Sequence, residues 1–472
     1  ASVGVPAIQS FAQDNRPTVD VLSYGAVGDG VTDDTAAIQR ANNAIAAAGG
    51  GVVHFPPGTY VAMGVRLSSG VELFGTTDAV LKHPDGISPG HIIQSTVLRK
   101  QGWIVEGSNH LWISDTKGVL PGAIVGIRGA GGASDVQTAK LSFPVLADST
   151  SLTVSQGQGW SNRAQSLLIE DEIVAYAGRS SRTFSITQRG LLGTSAVAHP
   201  KNAPVSLLQG LYARVVAVGN GWVKLDRVAV QGVQATEVNV GSINVAVRGL
   251  TLDGNRVPNG SASNPFPIKL RLARWAVVEG STIINGDHGA ISLDEGTSES
   301  VVADNTLLDH GTLSKSLGSA VWLYRGATDN VISGNVIGGE TNNGVMVDDR
   351  SESATEWDAP SDGNMIQSNV IDFPRSSTQD TGVWVVGSQG NVVEDNDIRS
   401  TTRGISVTVS TQGIRPASAR GTVVRSNRLW GHYLGVYVTG NDNWIERNEI
   451  RASTKPIIAR GTGNTYVENW IG

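Results

Sequence analysis

From residue 290 onward one short alternation of apolar and polar positions keeps returning. It reads Ala290-Ile291-Ser292-Leu293-Asp294, then Ala320-Val321-Trp322-Leu323-Tyr324, Gly344-Val345-Met346-Val347-Asp348, Gly382-Val383-Trp384-Val385-Val386, Gly404-Ile405-Ser406-Val407-Thr408 and Gly435-Val436-Tyr437-Val438-Thr439. Side chains alternate across a strand, so Ile291, Leu293, Val321, Leu323, Val345 and Val347 are predicted to point into a core and their neighbours away from it. A second apolar run in each repeat ends on an asparagine, at Asn305, Asn335, Asn369, Asn396, Asn427, Asn448 and Asn469. Repeats of roughly 21 to 38 residues suit the coils of a solenoid, with the excess in loops. Aligned asparagines are expected to stack as amide ladders inside it, a structural role.

The start of the chain follows a different pattern. An alternating stretch from Val19 meets Gly25-Ala26-Val27-Gly28-Asp29-Gly30. A helix then begins, with Asp33 and Asp34 as candidate caps and an inner stripe of Ala37, Ile38, Ala41 and Ile45. Gly49-Gly50-Gly51 ends it, and strands follow at 52–55, 65–67 and 71–74. Over residues 19–75 this opening resembles the N-terminal segment of the pectate-lyase-like superfamily. The resemblance implies a right-handed parallel β-helix, all-β, whose first coil is hidden by a capping helix. It implies no single chemistry, since that superfamily includes glycoside hydrolases, polysaccharide lyases, epimerases and phage tailspikes.

Between about 132 and 209 the coil pattern stops. Strand-like runs such as 166–176 replace it, and Arg189-Gly190-Leu191-Leu192-Gly193-Thr194-Ser195-Ala196-Val197-Ala198-His199 resembles a small β module of phage tail proteins. A structureless loop of that length is unusual, so an inserted β module is expected. The resulting division is an extension at 1–18, cap and first coils at 19–131, the module at 132–209, and the main β-helix at 210–472.

Composition sharpens this picture. There are 58 glycines among 472 residues and only 17% charged residues, as expected where many tight turns join short strands. The absence of cysteine removes disulfides and thiolate metal sites. A net charge of −6 without a basic block argues against nucleic acid, and no apolar run reaches the roughly 20 residues of a membrane span. An extracellular protein, secreted or exposed on a virion, is expected. The small, polar stretch 1–17 has no signal-peptide pattern, so a secreted form would already have lost its signal. A homotrimer is a further expectation, resting on the tailspike resemblance.

The candidate chemistry sits on the outward column of the repeat. Lys269 and Arg271 come first, then Ser292 and Asp294, Trp322 and Tyr324, Met346 and Asp348, and Trp384. Glu295, Arg325, Asp349 and Arg350 lie just past the strand ends, with Asp287, His288, His310 and Glu340 before them. Aromatic rings beside carboxylates and guanidiniums suit a sugar chain, whose C–H faces stack on rings while its polar groups take hydrogen bonds. A polysaccharide is therefore the expected partner, held by Lys269, Arg271, His288, Trp322, Tyr324, Arg325, Arg350 and Trp384.

Asp294 and Asp348 are separated by one intervening coil, roughly 9 to 10 Å of backbone, which brings their carboxyls near the separation of an inverting glycosidase. Glu295 and Asp349 are the alternative members of that catalytic pair, and a salt bridge to Arg271, Arg325 or Arg350 is the bland fate of any one of them. Glycoside hydrolysis with no cofactor is thus the leading expectation. The alternatives are a polysaccharide lyase or epimerase on uronic-acid glycans, and a non-catalytic adhesin or tailspike. In the lyase scheme Lys269, Arg271, His288, Tyr324 or Arg325 acts as base or neutralises the acid, and calcium would fit on Asp287, Asp294, Asp348 and Asp349. The NTD, DD and GHG motifs of polygalacturonases and the YGFDPH block of mannuronan epimerases are both missing. Asn285-Gly286-Asp287-His288-Gly289 is the nearest fragment, and neither activity carries over from it.

Overall fold

The computed structural model describes residues 16–86, 90–156, 160, 165–256, 266–310, 318–339, 342–348, 359–373, 380–409, 419–451 and 454–472, except the side chains of 134–137. Short strands of successive repeats stack in register into three parallel sheets, two of 12 strands and one of 10. One coil reads Val277–Glu279, Thr282–Ile284 and Ile291–Asp294, and the next Val301–Ala303, Thr306–Leu308 and Ser319–Tyr324. The chain is a parallel β-helix. All six predicted core residues, Ile291, Leu293, Val321, Leu323, Val345 and Val347, are fully buried. Each coil covers its neighbour's apolar face, so the core runs continuously through the stack.

The asparagine ladder forms as the repeat predicts. Side-chain amides donate from Asn305 to Asn335 and onward through Asn369, Asn396, Asn427 and Asn448 to Asn469 at 2.9–3.0 Å. Each amide also reaches a backbone carbonyl, as Asn335 does to Val302 at 2.9 Å. A second ladder that the sequence reading did not single out joins Asn330, Asn364 and Asn391 at another corner. These bonds satisfy corner groups that the strand ladders leave unpaired inside the coil.

The helix Thr35–Ala47 buries Ala37, Ile38, Ala41 and Ile45 as expected, and Asn42 with them. Its capping differs from expectation. Asp34 makes no side-chain cap. Its buried carboxylate instead accepts from the N–H groups of Val27 and Gly28, pinning the preceding glycine turn, while Asp33 accepts from Thr35 N–H.

The inserted module is wider than 132–209 on both sides. Parallel pairing stops after Ile93–Ser95 and resumes at Ala246–Arg248, which pairs with Val71–Gly75. All strands between, from Leu98–Ile104 to Val233–Val240, lie in one antiparallel sheet. Residues 98–131 and 210–240 therefore belong to the module rather than to the flanking coils. In that sheet Ile124–Lys140, Val233–Val240, Leu98–Ile104, His110–Ile113, Trp222–Leu225 and Pro204–Val218 pair in this order, and the last returns to the first. That cycle closes a barrel. The long strands Ile124–Lys140 and Pro204–Val218 continue into a second cycle through Gln165–Ile169, Glu172–Ser180, Thr183–Gln188 and Ser151–Thr153, closed by the Leu141–Val154 bridge. Each barrel has its own apolar core. The conspicuous segment from Arg189 to His199 serves this module. Buried Glu172 accepts two bonds from Arg189, both 2.7 Å, one from Gly190 N–H, one from Val197 N–H, and pairs with His199 Nε2 at 2.8 Å.

Candidate functional site

The outward column exists in the register foreseen. Arg271 pairs with Asp294, Ser292 with Trp322, Trp322 with Met346, Tyr324 with Asp348, and Met346 with Trp384. Tyr324 therefore stands between Asp294 and Asp348. Outward direction does not mean exposure, however. Met346 is 0% and Asp348 2% exposed, and Asp294 is also buried, so the column is not an open aromatic floor. Trp322, Tyr324 and Trp384 remain partly exposed. Asp349, Arg350 and Glu340 lie outside the described residues.

The accessible part of the site lies toward the first coils. A cavity of about 690 Å³ is lined by Arg66, His91, Gln94, Lys269, Arg271 and Glu295 from the β-helix, and by the segment Ser95, Thr96, Val97, Leu98 and Arg99 entering the module. Arg66, Gln94 and Lys269 continue the outward column backward through the pairings Arg66–Gln94 and Gln94–Lys269. Lys269 Nζ is 2.9 Å from Asp294 Oδ2, while Asp294 Oδ1 is buried with no hydrogen-bond partner. Arg271 Nε donates to Glu295, whose other oxygen is 3.6 Å from Arg325. Arg66 and Arg99 form no ion pair among the described residues. Four strong cations thus face one lining carboxylate, and the cavity favours an anion.

Two groups here have displaced proton affinities. Burial, and then the Asp294 charge, push the Glu295 carboxyl up, against Arg271 and Arg325. Burial lowers the His91 imidazole to about 4. Its Nδ1 lies 2.8 Å from the Phe266 carbonyl, which can only accept, so Nδ1 carries the hydrogen and Nε2 is the ring's acceptor. His310, by contrast, is a structural residue. It is fully buried, lowered to about 3 chiefly by that burial, with Nε2 bonded to the Ile283 carbonyl and Nδ1 accepting from Gly286 N–H. His288 stands beside Asp287, 3.9 Å away, and its ring is 6.4 Å from Phe266.

The aromatic groups of the column cluster with Phe266 beside it. Trp322 is flanked by Phe266 at 6.0 Å and Tyr324 at 5.3 Å, with Arg325 4.6 Å over the Tyr324 ring. Trp322 Nε1 is buried without a partner, and Trp384 Nε1 donates to Thr408. Glu295 and Arg325 occupy equivalent corners with positive φ, 45° and 52°, each followed by a glycine at positive φ. Tyr212 of the module covers those glycines. Its ring comes within 3.0 Å of where a Cβ on Gly296 would stand and 3.4 Å of one on Gly326, so it packs against both corners, and their positive φ disfavours a side chain there. The carboxylates nearby and its surroundings hold the Tyr212 hydroxyl well above the ordinary phenol range, burial first, then Glu295 and Asp294. Among the described residues no three Asp, Glu or His side chains gather as metal ligands, and no helix is long and apolar enough to cross a membrane.

Sequence reasoning missed Arg66, His91, Gln94, Arg99 and Tyr212. Arg66 and Gln94 follow the same alternation, in Val65-Arg66-Leu67 and Ile93-Gln94-Ser95, whereas His91 stands outside it because Ile92 and Ile93 both point inward. Their place beside Lys269 is set by pairing across the whole inserted module, which no local pattern reports.

Residues 18–179 match the family model described as rhamnogalacturonase A/epimerase, pectate lyase-like. This segment is pectate-lyase-like. Residues 311–415 and 357–472 match the model of the periplasmic copper-binding protein NosD. Two curated relatives are mannuronan C5-epimerases of Azotobacter vinelandii. AlgE2 is 38% identical over 104 residues, 22% of this chain and 9% of the relative, and AlgE5 is 55% identical over 53 residues, 11% and 5% respectively. The chain thus spans less than a tenth of the length of these relatives. Similar solved structures include the AlgE6 A-module of the same organism (TM-score 0.43, 16% identity, 96% of this chain and 99% of that one). The Streptococcus pneumoniae adhesin PfbA (0.48, 13%, 97% and 100%) and the tailspike gp49 of Pseudomonas phage LKA1 (0.48, 10%, 96% and 77%) are also similar.

Proposed function

We infer that this protein acts on an acidic, uronate-containing polysaccharide outside the cell or on a virion, by removing the proton next to the uronate carboxylate. The observation that carries this reading is the cationic cavity on the β-helix flank, where Arg66, Arg99, Lys269 and Arg271 surround the space. Offsetting the carboxylate charge is what makes the adjacent C5 proton acidic enough to leave, and Lys269 and Arg271 stand where they can do so. His91 supplies the base, because its ring is neutral at pH 7 and its Nε2 lone pair is not used by the Phe266 carbonyl. The proton goes to Nε2 and the electron pair to the carboxylate. Expulsion of the 4-O substituent then gives elimination, whereas return of a proton to the opposite face gives epimerisation. The short but close matches to mannuronan C5-epimerases support the same substrate class.

Glycoside hydrolysis is the second reading, and one observation favours it. Glu295 is held toward its protonated form beside Asp294, as a general acid requires. Incubating the protein with polymannuronate and polygalacturonate in D2O separates the readings. Deuterium at C5, from epimerisation, or the ultraviolet absorbance of an unsaturated uronate, from elimination, is the expected result. New reducing ends without either signal would establish hydrolysis, and binding without product a non-catalytic role.

A further inference from the structure

The module's outer face carries three tryptophans in register. Trp103 pairs with Trp112 across one strand boundary and Trp112 with Trp222 across the next. Trp103 and Trp112 stack at 5.5 Å with an interplanar angle of 12°, yet stay 43% and 40% exposed. His110 packs on Trp222 at 5.5 Å, and Lys224 is exposed beside it. The underlying side chains Ile104, Leu111, Ile113 and Val223 fill the barrel core, so the rings are free of any folding duty inside it.

This strip is continuous with the cavity. In the strand Leu98–Ile104 the residues Arg99, Gln101 and Trp103 share the exposed face, and Arg99 lines the cavity itself. Four steps along the strand lead from Arg99 to Trp103, roughly 13 Å. A polymer leaving the cavity past Arg99 meets the indoles next, with Lys224 offering a further positive charge. A second copy of this chain fits less well. Two rings about 40% exposed offer on the order of 200 Å², short of the roughly 800 Å² per partner of a stable dimer.

Resting on the reading of the cavity as a uronate site, we propose that Trp103, Trp112 and Trp222 form an accessory subsite that holds a distal stretch of the same acidic polysaccharide. Its sugar C–H faces and edges pack on the indoles, while Arg99 and Lys224 attract its carboxylates. The strip then raises affinity for chains long enough to reach both places and leaves short ones unaffected, as a second linked contact does.

The test compares the full chain with its Trp103→Ala/Trp112→Ala variant, by calorimetry against long polymannuronate and against an oligomer that fills only the cavity. Roughly tenfold weaker binding of the long chain with unchanged oligomer binding is expected. Unchanged binding of both by the variant would overturn the subsite and leave the cavity reading intact, and equal losses for both would place the effect in the cavity. Failure of the parent protein to bind either would remove the reading beneath it. Concentration-dependent association of the parent, abolished in the variant, would assign the strip to a second copy instead.

Discussion

The β-helix and the inserted module solve the same edge problem in opposite ways. The β-helix stacks parallel strands, covers its first coil with a helix, and satisfies its interior corners with repeated asparagines. The module closes its antiparallel strands on themselves, twice, leaving two separate cores and one dense polar knot around Glu172. A repeat spreads its stability over every coil. A closed barrel concentrates it in a few contacts. The site follows from the difference, because the stack supplies a regular column of side chains while the module lays Arg99 and Tyr212 against one end of it.

The sharpest way to break this contrast is Glu172→Gln. Arg189 would keep its charge in a nearly buried place without its carboxylate, and the oxygen replaced by NH2 would leave either Gly190 N–H, or Val197 N–H and His199, without an acceptor. Breaking such a pair costs about 3–5 kcal/mol. Module amides should exchange faster while those of the coils beyond Val277 stay protected, as hydrogen-exchange mass spectrometry would report. The same carboxylate sets an acid limit. Burial alone would raise Glu172, but Arg189, Val197 N–H, His199 and Gly190 N–H together lower it from 4.5 to about 2. A depressed carboxylate gives its stability in full above its unfolded value and loses it as pH falls through the folded one. The parent module should therefore weaken between about pH 4.5 and 2, and the variant should lack this part of the acid transition.

Asn369→Ala is the counterpart in the stack. The side chain donates to Ile332 O and Asn396 Oδ1 and accepts from the backbone and side chain of Asn335, all inside the core. At about 1 kcal/mol for each of these four bonds, the cost is about 4 kcal/mol. Faster exchange should appear in the strands Val331–Ser333, Met365–Gln367 and Val392–Glu394 and leave both barrels unchanged. If the barrels loosened equally, the two regions would be one cooperative unit and the contrast would fail.

What the sequence disclosed follows the same division. The stack was legible because each coil repeats the period-two pattern, so Ile291 or Val347 could be assigned to the core without knowing its partner, and the asparagines announced their own ladder. The module's extent was not. Strands such as Trp222–Leu225 and Leu98–Ile104 close a barrel through partners far apart in sequence, and their alternation looks like that of any coil. The site was half legible for the same reason. Lys269, Arg271, Asp294 and Glu295 fell on a column that counting could find, whereas Arg66 and Gln94 join it only because the chain returns after the insertion. Burial of Asp348 and Met346 was beyond alternation altogether, since direction from a sheet does not say what lies above it.

The chemistry should fail on the β-helix side first. His91→Gln keeps a polar group near the Phe266 carbonyl but removes the imidazole lone pair, so kcat should fall roughly 100-fold, the usual worth of a positioned base. Because burial lowers His91 to about 4, parent activity should persist into mild acid and decline only as pH falls through that value. A decline centred well above it, or a His91→Gln variant of near-normal rate on a confirmed substrate, would move the base elsewhere, with His288 and Tyr324 next to examine.

The smallest effect is expected at the joint between the two regions. Tyr212→Phe keeps the ring that lies over Gly296 and Gly326 and removes only the hydroxyl. If the module contributes to the site by holding those two corners, and with them Glu295 and Arg325, the ring carries the effect. In that case kcat/KM should change by no more than about threefold, below 1 kcal/mol. Burial and the neighbouring carboxylates hold the hydroxyl in its protonated form, so it cannot act as a base at neutral pH, and its removal should leave the pH profile unaltered. A loss beyond tenfold, or a shifted acid limb, would show that the module reaches the reacting atoms through Tyr212 itself. The antiparallel insertion would then be part of the catalytic apparatus and not only its wall.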